Sequence, residues 1–194
     1  GLSSKEMNIT DREQVMKIVK AYKPDVIFHC AAWTAVDKAE EQKDLCHLVN
    51  VIGTKNLSEA AIKNDAKLVY MSTDYVFDGT KELDKVYEVT DEPNPKSIYG
   101  KTKLKGERKA LENPKTFICR TSWVFGINGK NFMRTMLNLA ETRDTLNVVA
   151  DQYGSPTYTV DLARLLVDMS ETDKYGTYNA TNEGYVSWAD FAEY

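Results

Sequence analysis

Short apolar runs rich in strand formers alternate along this chain with longer segments whose apolar residues recur at helical spacing. That alternation constrains the fold more than any other feature. The runs at 26–30 (VIFHC), 68–71 (LVYM) and 116–119 (TFIC) are too short for buried helices and are bounded by turn-forming residues, so each reads as a strand. Between the first two lies a long helical pattern carrying Leu45, Leu48, Val49, Ile52, Leu57, Ala60 and Ala61. Between the second and third, after a polar, proline-containing stretch at 78–95, comes a helix over 99–111. Ahead of them, Thr10 and Glu13 form a capping box, and Val15, Ile18, Val19 and Tyr22 follow at helical spacing until Pro24 stops the helix. Further helices are expected over 132–141 and 160–169, and further strands over 146–149 and 177–180. Strands joined by helices of this length form βαβ units. The expected fold class is therefore α/β, with a mostly parallel, doubly wound sheet covered on both faces.

The 194 residues, 42% of them hydrophobic, suffice for one sizeable core with a small appended lobe, which places the expected domains at 1–125 and 126–194. A formal charge of −4 gives no electrostatic footprint for nucleic acid, and no stretch has the roughly 18 apolar residues of a membrane span. Three widely spaced cysteines, Cys30, Cys46 and Cys119, fit a reducing cytoplasm better than a disulfide framework. His29, Cys30, Cys46 and His47 lack zinc spacing, because adjacent residues do not easily share a tetrahedron. No G-x-S-x-G marks a hydrolase nucleophile.

In a sheet of this kind ligands sit beyond the carboxyl ends of the strands. The residues found there are Ala31, Ala32, Trp33 and Thr34 after the first strand, Ser72, Thr73 and Asp74 after the second, and Arg120, Thr121, Ser122 and Trp123 after the third. Tyr99 and Lys103, four apart on the intervening helix, share one face about 6 Å apart. A tyrosine with its ordinary pKa of about 10 is a poor acid–base catalyst near neutrality, and a neighbouring ammonium would lower it. With 11 tyrosines in the chain the spacing alone is weak, so the neighbours must carry the assignment.

Taken in order, HCAAWTAVDKAE at 29–40, STDYVFDG at 72–79, YGKTKLKGE at 99–107, RTSWVFG at 120–126 and DQYGSPT at 151–157 resemble the extended short-chain dehydrogenase/reductase superfamily. Within it they are most similar to the dTDP-4-dehydrorhamnose reductase family. The resemblance implies a Rossmann-like sheet, cytoplasmic location and reduction of the C4 ketone of dTDP-6-deoxy-L-lyxo-4-hexulose by NADPH or NADH. It implies that Tyr99 donates the proton, that Lys103 holds the nicotinamide ribose and lowers the tyrosine's pKa, and that Thr73 hydrogen-bonds the substrate oxygen with Asp74 beside it. By the same resemblance Ala32, Trp33 and Thr34 line the cofactor, Asn8 and Ile9 flank the adenine, and Trp123 packs on the sugar nucleotide. A homodimer, and magnesium at a subunit contact, are left open.

The chain departs from the family at its start: none of its ten glycines forms the G-x-x-G-x-x-G turn whose backbone amides hold a pyrophosphate. The resemblance therefore implies an internal piece of a longer enzyme, lacking roughly thirty residues of an initial strand–helix–strand and cut within a helix at VSWADFAEY. Such a piece is expected to bind dinucleotide weakly or not at all. Plainer readings stand beside these. Tyr99 and Lys103 could be an exposed pair on a charge-rich face, Thr73 a turn cap, Trp123 a core residue, Ala31 and Ala32 packing residues, and Asp37 and Glu40 helix caps. Two other functions are also open. A nucleotide-sugar dehydratase would follow the threonine with aspartate and glutamate, whereas Tyr75 follows Asp74 here. A non-catalytic dinucleotide-binding regulatory subunit would share the fold.

Overall fold

The computed structural model describes residues 1–83 and 85–193. The chain divides into two units: Gly1–Arg120 with Met169–Asn179, and Thr121–Asp168 with Ala180–Tyr194.

The first unit is built on a four-stranded sheet of order β1-β2-β3-β7, with β1 at Val26–His29, β2 at Lys67–Thr73, β3 at Thr116–Thr121 and β7 at Gly176–Asn179. β1 runs parallel to β2 with Val26 opposite Lys67, and β3 parallel to β7 with Phe117 opposite Gly176. Helices lie between consecutive strands, as the sequence pattern predicts. α1 spans Arg12–Tyr22, α4 Thr54–Lys63 and α5 Ile98–Ala110. Every residue of β3 is buried, the mark of a strand covered on both faces. Leu68, Tyr70, Ile118, Ala61, Ala66 and Ala110 form one core cluster; Ile9, Val15, Val19, Leu57 and Ala60 form another, where α4 packs on α1.

Local chemistry moves several boundaries. α1 is capped one residue later than expected: the Asp11 side chain accepts from the Gln14 amide, while Thr10 turns its hydroxyl and amide to the Asn8 side-chain oxygen. The reciprocal partner is Gln14, whose Oε1 accepts from the Asn8 amide at 2.5 Å, so the box is shifted and widened rather than lost. Lys23, at φ 47°, closes the helix before Pro24; Tyr22, expected on the buried face, is 71% exposed. The long helical pattern is also not one α-helix. α2 (Val36–Glu41) and α3 (Lys43–His47) lead into a π-helical stretch, Leu48–Gly53, and only then α4. Leu45 and Leu48 consequently face outward, while Cys46, Asn50, Val51 and Thr54 are buried.

The second unit holds α6 (Phe132–Ala140), α7 (Thr159–Ser170, whose end lies in the first unit), α8 (Trp188–Glu193) and two small ladders. Parallel β4 (Val124–Phe125) pairs with β6 (Thr157–Tyr158), and antiparallel β5 (Tyr153–Gly154) with β8 (Val186–Ser187). Its interior is aromatic: Phe125, Phe132, Trp188 and Phe191 pack against one another. The strand expected at 146–149 does not form. An apolar run becomes a strand only when a neighbour completes its ladder, and here Val149 is 51% exposed, with its carbonyl accepting from the Ala189 amide at the start of α8.

Candidate functional site

β2 ends in Thr73, whose hydroxyl caps the single 3₁₀ turn Asp74–Val76: its oxygen accepts from the Tyr75 amide at 3.3 Å, and its proton goes to Asp74 Oδ1 at 3.0 Å. α5 begins close by. Ser97 caps it by accepting from the Gly100 amide at 3.0 Å, and Glu40 accepts from the Ile98 amide at 2.7 Å, so the expectation that Glu40 caps a helix is met on α5 rather than on its own helix. Tyr99 therefore sits in a first turn held from two sides. Its ring meets Tyr75 edge-on at 5.5 Å. Gly100 is required for this approach, because a Cβ there would lie 2.2 Å from the Tyr75 carbonyl oxygen.

Tyr99 is half-buried, and burial pushes its pKa up to about 12; the Thr73 hydroxyl acts in the opposite direction, and the Asp74 carboxylate adds to the rise. Asp74 is itself raised to about 6 by burial, against hydrogen bonds from Thr73 and the backbone. One turn on, Lys103 is 3% exposed. Its Nζ donates to the Met71 carbonyl at 2.5 Å and lies 4.1 Å from the centre of the Tyr70 ring. Burial lowers its pKa to about 7, opposed first by the Glu107 carboxylate. The expected lowering of the Tyr99 pKa by Lys103 is not found. The ammonium is engaged by β2, and the neighbour favouring the phenolate is Thr73.

The turn after β1 is fixed by a residue the sequence reading missed. Asn50, buried in the π-helical stretch, accepts from the Trp33 amide at 2.8 Å and donates to the Trp33 carbonyl at 3.2 Å and to Thr102 on α5 at 3.1 Å. A signal was available: two amides, Asn50 and Asn56, interrupt the apolar positions of that helical pattern, and both are buried. Ala32 and Trp33 are half-buried, and Ala31 and Thr34 exposed. Asn8 is exposed. The Ile9 side chain is buried against Gly53, where a Cβ would meet its Cδ1 at 2.6 Å, and its carbonyl is held by Asn56 at 2.9 Å.

Ser72 and Arg120, expected among the groups open to ligand, are instead consumed internally. Ser72 donates to Glu107 Oε1 at 2.6 Å, and Arg120 pairs with both carboxylate oxygens through Nε and Nη2 at 2.9 and 2.8 Å. In the second unit Ser122 donates to the Ser155 carbonyl, and Trp123, at φ 47°, stacks on Trp188 with ring centres 3.4 Å apart. His29 is a core residue. Its Nε2 contacts the Thr54 hydroxyl at 2.9 Å, and burial, then Lys103, lowers its pKa to about 3.

The family described as RmlD substrate binding domain matches residues 1–194. The chain is 47% identical to a dTDP-4-dehydrorhamnose reductase of Aggregatibacter actinomycetemcomitans, over 99% of this chain and 67% of that protein. It is 42% identical to the spore coat polysaccharide biosynthesis protein SpsK of Bacillus subtilis (strain 168), with the same coverage. The solved dTDP-4-dehydrorhamnose reductase of Bacillus anthracis, in complex with NADP, superposes with a TM-score of 0.96 at 44% identity, over 99% of this chain and 68% of that one. A Clostridium acetobutylicum reductase gives the same TM-score at 48% identity, over 99% and 68%. The chain thus spans about two thirds of the length of these relatives. A buried lysine one turn beyond a tyrosine that neighbours a strand-end threonine, on a parallel α/β sheet, agrees with those matches: the protein belongs to the RmlD substrate binding domain family, the family of the dTDP-4-dehydrorhamnose reductases.

Proposed function

We propose that this chain carries the proton-transfer half of an NAD(P)H-dependent reduction of the C4 ketone of a dTDP-4-keto-6-deoxy sugar, dTDP-6-deoxy-L-lyxo-4-hexulose, to dTDP-L-rhamnose. The observation that carries the reading is the placement of the Tyr99 phenol, beside the Thr73 hydroxyl at the end of β2 and one helical turn before a buried lysine on the same helix. A ketone being reduced needs a proton on its oxygen; burial keeps that proton on Tyr99 but makes the phenol a weaker acid, so its transfer depends on groups that stabilise the phenolate left behind. Thr73 would donate to the same oxygen once its proton leaves Asp74, and would steady the phenolate left on Tyr99. Lys103 would add positive charge behind that phenolate when it swings from Met71.

The cofactor, when bound, supplies the hydride. The residues present fit its nicotinamide half. Small side chains at Ala31 and Ala32 leave backbone open to a flat ring, and Asn50 holds that backbone at Trp33. Asn8, exposed in a turn anchored by Asn56 and Gln14, suits the adenine edge. Trp123 as a substrate contact, and association into a homodimer, are further parts of the proposal. Tyr75 in the place of a second carboxylate favours reduction over dehydration.

The test is NADPH oxidation by the full-length gene product in the presence of the 4-keto sugar nucleotide. Tyr99→Phe should lower kcat by about 10²–10⁴-fold with nucleotide binding retained. Unchanged turnover in that variant removes Tyr99 as the acid, and absence of turnover in the parent removes the activity.

A further inference from the structure

Three consecutive residues of β2 engage three side chains that follow one another down α5. Thr73 neighbours Tyr99; the Met71 carbonyl accepts from Lys103 at 2.5 Å; and the Ser72 hydroxyl donates to Glu107 at 2.6 Å. Residues four apart on a helix lie on one face, so Tyr99, Lys103 and Glu107 form a single stripe read by a single strand end. The first two have parts in the proposed reaction. Glu107 does not, yet it is a carboxylate only 3% exposed, with both oxygens taken by Arg120 of β3 and one also by Ser72.

A buried ion pair is a poor way to gain stability, since apolar residues of similar volume do as well or better. Its geometry is what apolar residues would not supply. The Arg120 fork fixes the carboxylate plane, and the carboxylate in turn fixes the distance from α5 to the residue directly before Thr73. Resting on the reductase reading, we propose that Glu107 is a positioning residue: its carboxylate, clamped by Ser72 and Arg120, sets α5 against the end of β2 and maintains Lys103 as a cation one helical turn after Tyr99.

The groups around the Lys103 ammonium bear this out by elimination. β2 offers it the Met71 carbonyl and the Tyr70 ring; β1 and the turn after it bring His29, held neutral, and the Cys30 thiol; α3 brings Cys46; its own helix brings Glu107. Glu107 is the one carboxylate in that set. Without it, burial acts on Lys103 with only weak acids to oppose it.

The experiment measures the titration of Lys103 by NMR of protein carrying lysine labelled at Cε, beside the pH profile of kcat/KM, in Glu107→Gln, in Glu107→Gln with Arg120→Met, and in Ser72→Ala. The double variant leaves no lone buried guanidinium and so keeps a folded protein in the series. Losing the carboxylate should lower the Lys103 pKa by about one unit or more in Glu107→Gln, and in the same direction by less in the double variant, which also removes the Arg120 cation, and should move the alkaline limb of the activity profile to lower pH by the same interval. Ser72→Ala, which changes no charge, should lower kcat at unchanged KM and leave that limb in place. A Lys103 titration unmoved in either folded Glu107 variant overturns the electrostatic part, and a wild-type kcat in Ser72→Ala overturns the positioning part. Should the parent protein not reduce the sugar at all, the function falls, while the lysine titration still decides whether Glu107 sets the charge of Lys103.

Discussion

Gly100→Ala should destabilise the protein, against the usual rule for a glycine inside a helix. In an exposed helical position that exchange gains about 1 kcal/mol, because alanine loses less backbone entropy on folding. Here the new Cβ would sit 2.2 Å from the Tyr75 carbonyl oxygen and 3.0 Å from Pro95 Cβ, about 0.8 Å inside the closest approach a real Cβ makes to the oxygen. The obstacle is backbone in the 3₁₀ turn capped by Thr73, so no side-chain rotation relieves it. Overpacking costs about 1–3 kcal/mol, and against a backbone oxygen that cannot rotate away the upper part of that range applies, about 2–3 kcal/mol, which outweighs the propensity gain and leaves a net loss of about 1–2 kcal/mol. With a urea slope of about 2 kcal/mol/M, the unfolding midpoint should fall by about 0.5–1 M. Lys101→Ala, at the exposed neighbouring position, should change stability by less than about 0.5 kcal/mol. The displaced turn also carries Asp74 and follows Thr73 directly, so kcat should fall with stability. A midpoint in Gly100→Ala equal to or above the parent's would refute the close-approach argument.

Asp74 is raised to about 6 in the fold from an ordinary value near 4, so the folded state holds its proton more tightly than the unfolded chain does. Stability from this group is therefore present below about pH 4 and lost as pH rises through 6. Asp74→Asn should become progressively more stable relative to wild type across that window, and a flat difference in urea midpoints between pH 4 and 7 would count against the shift. Asn50→Ala removes both bonds to the Trp33 backbone and the one to Thr102, and should cost about 2–4 kcal/mol while weakening NADPH binding, measured by urea unfolding and by titration calorimetry on the full-length product.

The strands at 26–30, 68–71 and 116–119 and the helix carrying Tyr99 were legible because periodicity and capping there act within a few residues. What escaped depends on partners far along the chain. The run at 146–149 has the composition of a strand and no neighbouring strand to complete it. Thr10 and Asp11 were both able to cap α1, and the choice was made by Asn8, which took up the Thr10 hydroxyl. Ser72 and Arg120 looked like ligand groups because they follow strands, but the acceptor that consumes them is on α5, 35 and 13 residues away. The Tyr99–Lys103 pair was read correctly as one face of a helix. Its electrostatics were not, since a spacing rule carries no information about burial, and burial dominates both groups.

The π-helical stretch at Leu48–Gly53 works as a phase adjuster. Ahead of it the helix presents Cys46 to Thr102, within it Asn50 reaches the turn after β1, and beyond it Thr54, Leu57 and Ala60 face inward. A continuous α-helix advances about 100° per residue, so deleting one residue here would restore ideal local geometry and turn one half by about that angle relative to the other. The segment is thus least tolerant of length change where its hydrogen bonding is least regular, and an alignment gap placed within 48–53 would mark a relative in which the turn after β1 is held by some other residue.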